Sequence, residues 1–117
     1  MPESKQKFLK ILRIELEDLI EAVEALVERH RERLKAGEIT DYVFNENSAL
    51  LICEKKALEN FLTELGRIDW ACYNSVGELA AAVNMSFENF LKEHEYFPAL
   101  KEFVQKKIKK VLDYCSC

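Results

Sequence analysis

Between Glu3 and Lys35 the chain has neither glycine nor proline, and its apolar residues recur at alternating steps of three and four. Leu9, Leu12, Leu16, Leu19, Val23 and Leu26 form the series, His30 is its next member, and Ile20, Val27 and Leu34 widen it on one flank. A stripe with this period is the buried face of one long amphipathic helix. At 1.5 Å per residue such a helix is ~50 Å long, whereas a compact domain of this size is only ~35 Å across. Two resolutions follow. Either the fold is an elongated hairpin, or a second subunit covers the overhang. The sequence reading prefers the second, a homodimer.

The helix should stop at Ala36-Gly37, because glycine takes the left-handed conformation that closes helices. Arg29, Arg31, Arg33 and Lys35 in its last turns complement the helix dipole. A second helix is expected within Asp41–Gly66, where Phe44, Leu51, Leu58 and Leu65 repeat every seven residues. The short connection makes residues 3–66 an antiparallel helical hairpin. Residues 67–74 read as a linker with aromatic anchors. Ser75 and Glu78 have capping-box spacing and open a short helix ending near Val83. Asn84-Met85-Ser86 reads as a turn before a further short helix from Phe87 to about Glu95, and Pro98 suits the first turn of a last one. The expectation is therefore all-α, a single helical domain over residues 1–117, with a long hairpin followed by a cluster of three shorter helices at 75–114. Three glycines and two prolines in 117 residues leave little material for the turns of a multi-stranded sheet.

No stretch is apolar enough to suggest a membrane span, and the charged opening residues lack the apolar run of a secretory signal, so a cytoplasmic chain without membrane contact is expected. In that compartment the four cysteines would be reduced. Phosphate-cradling glycine loops, nucleophile elbows and His-Glu-x-x-His are missing, and neither His30 nor His94 has a glutamate three residues earlier. The expectation is a protein that is not an enzyme and carries no cofactor.

Four groups of residues compete for a functional role. His30, Asn47 and Glu54 are polar where the periodicity calls for apolar side chains. In the hairpin His30 would pass near Asn47, and Glu54 would lie about two turns on, opposite Val23 or Leu26. That seam is either a polar pocket or a device that sets helix register and dimer pairing. Glu17, Glu21, Glu24 and Glu28 line the outer face of the first helix, where a solvated surface is the ordinary meaning. Cys115 and Cys117 form a C-x-C at the chain end, half of a metal site or a redox pair, whereas Cys53 and Cys72 lie on the flank of helix 2 and in the linker.

The fourth group is the stretch from Val76 to His94. Leu79, Ala80, Val83, Met85 and Phe90, with Ser86 opening the second helix, make it resemble the helix-turn-helix of DNA-binding regulators. Asn84 stands where that motif has glycine, and Glu93 where it is apolar. The resemblance implies a DNA reader at 75–94, helped by the basic residues Lys92, Lys101, Lys106, Lys107, Lys109 and Lys110. A net charge of −4, with Glu88, Glu93 and Glu95 on the would-be recognition helix, works against phosphate binding. The preferred reading is a helical adaptor or regulatory protein that works by protein–protein contact as a homodimer. A DNA-binding regulator and a metal or thiol sensor are its rivals.

Overall fold

The computed structural model describes residues 2–94 and 98–116. Among these residues four α-helices form, with one 3₁₀ turn and no strand: α1 Pro2–Lys35, α2 Asp41–Leu65, the 3₁₀ turn Trp70–Cys72, α3 Val76–His94 and α4 Pro98–Ser116. The fold is all-α, a helical hairpin with further helices packed on it.

The hairpin bend is built by local chemistry. Gly37 has φ +76°, and no Cβ obstructs that left-handed conformation. The Glu38 amide donates to the Arg33 carbonyl (2.9 Å) and the Gly37 amide to the Leu34 carbonyl (3.1 Å), which is the Schellman pairing that satisfies the last carbonyls of a helix. The Arg33 side chain then meets Glu38 at 3.3 Å. Thr40 starts α2 by accepting the Val43 amide at 3.2 Å. Ser75 starts α3 in the same way, accepting from Glu78, whose carboxylate reaches back to the Asn74 amide at 3.0 Å. That last bond lands one residue earlier than in the standard capping box.

The C-terminal part differs from expectation. Asn84-Met85-Ser86 is not a turn, and α3 runs unbroken through it. The cause is packing: Leu79, Ala80, Val83, Phe87, Phe90 and Leu91 are all buried at one helical phase, and that phase crosses residues 84–86 without a shift. Phe87 meets the Phe61 ring edge-on at 4.6 Å, so a break at Ser86 would pull it out of the core. Turn-forming residues yield to that burial. Three short helices thus become two of 19 residues each.

All four helices feed one hydrophobic core. Phe8, Leu12 and Leu16 of α1, Leu58 and Phe61 of α2, Leu79 and Phe87 of α3, and Val104 of α4 are completely enclosed. Each such Phe or Leu contributes about 1.5–3 kcal/mol by leaving water. The α1 face that reaches deepest is Phe8, Leu12, Leu16 and Ile20; Leu9 and Leu19 of the predicted stripe sit at its margin. Outside the core, Glu15 ties α1 to α4 through Lys107 at 3.0 Å and Lys110 at 3.1 Å.

The core occupies only one end. Between Glu24 and Lys56 the sole buried residue is Ser48. The second half of α1 and the first half of α2 therefore project as a two-helix arm. The molecule measures 55 × 27 × 19 Å with a radius of gyration of 16.5 Å, against ~13 Å for a compact chain of this length.

Candidate functional site

The arm has an apolar face that stays open among the described residues. At its root, where α4 begins, a cleft of about 210 Å³ opens between Leu19, Val23 and Leu26 of α1, Leu51 and Leu58 of α2, and Phe103 of α4. Phe103 stands 58 % exposed at the cleft, and Leu26 36 %. Towards the tip the same flank of α2 continues through Leu50 and Val43, both exposed, since 43, 47, 50 and 54 follow the helical period. On α1 the stripe continues from Leu19, Val23 and Leu26 to His30.

The three polar seam residues belong to this face. Glu54 lines the cleft with Val23 and Leu26, the neighbours expected for it. It makes no hydrogen bond or ion pair among the described residues, and desolvation pushes its carboxyl above the usual carboxylate range. The adjacent Lys55 turns away to Glu24 (3.4 Å) and Glu59 (3.8 Å). His30 is half-buried, with Nδ1 enclosed and unpartnered. Asn47 is half-buried on the flank of Glu54, two turns nearer the tip.

Sequence reading missed Ser48 and Phe103 in different ways. Ser48 is 5 % exposed, with its hydroxyl enclosed and unpartnered, a small side chain inside the two-helix contact. Phe103 neighbours the buried Val104 in the apolar run of α4, and its exposure beside the arm has no local signal in the sequence.

The lysine candidates are taken up by acidic side chains rather than left as a free basic patch. Lys107 and Lys110 converge on Glu15, Lys101 lies 3.7 Å from Glu88, and Lys92 is exposed one turn beyond Glu88 on α3. Lys106 and Lys109 are exposed on α4. The helix-turn-helix geometry is absent, because its turn is part of α3 and Met85, which that motif would bury, is 65 % exposed. Cys115 belongs to α4 and packs partly buried against the core, so its thiol is raised by burial, with Lys7 opposing. Cys117 lies outside the described residues. Cys53 and Cys72 are exposed, and the Cys72 thiol donates to Asp69 at 3.1 Å, which raises its pKa and keeps it a poor nucleophile. No group of three or more potential metal ligands occurs among the described residues.

A clasp unforeseen in the sequence joins the start of α1 to the linker. Lys5 is 8 % exposed, donates to the Tyr73 carbonyl and lies 5.5 Å from the centre of the Trp70 ring. Its ammonium satisfies a linker carbonyl and gains a cation–π contact, a structural use of a lysine. An open groove of about 480 Å³ between the end of α2, Tyr73 and α3 is lined about equally by polar side chains, including Glu64, Asn89 and Glu93, and apolar ones, including Met85 and Phe90, and contains none of the seam residues.

No family model, curated protein or solved structure matches the chain. No helix among the described residues is long and apolar enough to cross a membrane.

Proposed function

We propose that this chain is a helical adaptor or regulatory protein that acts by protein–protein contact rather than catalysis, and that the arm's open face mediates its self-association. One observation carries this reading: the apolar stripe of α1 and α2 continues past the core onto an arm where Leu26, Val43 and Leu50 stay exposed. Contiguous apolar surface of this kind marks contact sites in soluble proteins. Two such faces brought together would make a four-helix bundle, the usual way a two-helix unit completes a core.

The test is light scattering across a concentration series. The wild-type chain should show about twice its 13.6 kDa mass at tens of micromolar, and Leu26→Asp should stay folded and monomeric, since it sets a carboxylate at the centre of the contact. A wild-type monomer throughout that range would overturn self-association.

A further inference from the structure

We infer that the cleft at the root of the arm binds a small organic cation with an apolar body, such as an arylalkyl ammonium, and that Glu54 is its counter-ion. Such binding needs one chain only and does not depend on self-association.

Shape and lining limit the ligand. The cleft holds about 210 Å³, and leucine and valine side chains of α1 and α2 line it together with the Phe103 ring of α4. That volume is below the roughly 300–1,000 Å³ of pockets that enclose a drug-sized molecule, and it suits a single ring or a short branched chain. Burying an apolar body of that size would take Leu26 and Phe103 out of water, both of which stand part-exposed.

Glu54 sets the charge. It is the one charged residue in the lining, and its carboxylate has no hydrogen bond or ion pair among the described residues. The cations nearest to the cleft in sequence are engaged elsewhere: Lys55 with Glu24 and Glu59, and Lys101, two residues before Phe103, with Glu88. A carboxylate beside apolar side chains gives up hydration and recovers nothing from a partner, which is why desolvation raises its pKa. A cation carried on an apolar body supplies the partner while the body covers the lining. An anion would meet Glu54 as a like charge, and a neutral molecule would leave it unpaired. The uncovered Phe103 ring offers an ammonium an electron-rich face as well. The larger groove beside α3 differs in this respect, because its Glu64 already pairs with Arg67 at 3.4 Å.

Methyl NMR of the labelled chain, titrated with three probes of similar shape, tests the site. The probes are phenethylammonium, phenethyl alcohol and phenylpropanoate. The cation should move the methyl resonances of Leu26, Leu51 and Leu58 and bind roughly fivefold or more tightly than the alcohol, with the anion weakest. Glu54→Gln should bring cation and alcohol to within about twofold of each other and leave the alcohol's own affinity nearly unchanged. Glu59→Gln removes a carboxylate outside the cleft and should keep the preference for the cation. No movement at the cleft residues, equal affinity of wild type for cation and alcohol, or a preference that survives Glu54→Gln overturns the site. Light scattering decides self-association separately. A monomer that binds the cation leaves this site standing, and a dimer that does not bind it leaves only self-association.

Discussion

The two halves of α1 carry the same kind of apolar periodicity and meet opposite fates. Phe8, Leu12, Leu16 and Ile20 are buried beneath α2, α3 and α4, whereas Leu26 meets only α2 and the edge of Phe103 among the described residues and stays part-exposed. Helical period therefore shows which face can be covered, and the supply of other elements decides whether it is. Two glutamates mark the contrast. Glu15, at the core end, is held between Lys107 and Lys110, and those lysines pull its carboxyl below the ordinary range. Glu54, at the root of the arm, stands against apolar side chains without a cation, and burial pushes it the other way.

The largest difference between the halves should appear on truncating one side chain in each. Phe61→Ala removes a ring that touches Phe87 and Phe90 and should lose about 3–5 kcal/mol, lowering the thermal midpoint by at least ~10 °C. Leu51→Ala, in the arm cleft, should lose less than about 1.5 kcal/mol when melted dilute enough to be monomeric, because its cavity already opens to solvent. Equal losses would mean that the arm has a core of its own.

The glutamates sharpen the comparison through pH. A carboxyl whose folded pKa is raised adds stability that is present in acid and is lost as pH rises through that pKa. In the dilute monomer Glu54→Gln should therefore be more stable than wild type at pH 7, by less than about 1 kcal/mol, with the gap closing towards pH 4. Denaturant melts of the dilute chain across that pH range check this. The smallest effect belongs to Glu15. Its lowered pKa adds stability that is present above the unfolded value and is lost as pH falls through the folded one. Glu15→Gln should lose at most about 1 kcal/mol at pH 7 and almost nothing near pH 3, since the lysines are partly exposed and water screens the pair.

Much of this fold was legible because local chemistry and period agreed. The uninterrupted run to Lys35, the glycine at 37 and the Ser75–Glu78 spacing each predicted the feature that formed. The reading failed where a local signal opposed a distant one. Asn84 and Ser86 favour a turn, but Phe87 and Phe90 are anchored by Phe61, a residue some 25 positions away whose influence no short window contains. The seam residues His30, Asn47 and Glu54 were legible as exceptions to the apolar pattern. That they lie on an uncovered face was not, because it depends on where α4 begins. The Lys5 clasp had no sequence signal: a lysine in a first helical turn is ordinary until Trp70 and Tyr73 arrive beside it.

The bridges from Glu15 to Lys107 and Lys110 join positions 92 and 95 apart. They imply an order of assembly. The arm's contacts lie close in sequence around Gly37 and close a short loop, so they can form quickly, yet they enclose almost no apolar surface. The contacts that do enclose it require α4, made after the other three helices, to reach back to α1. Loop closure over such a span is slow relative to a local hairpin. During synthesis Phe8, Leu12 and Leu16 therefore lack part of their cover until α4 has been made. The half of the molecule that is firmest once folded is the half that is longest unprotected while it is made.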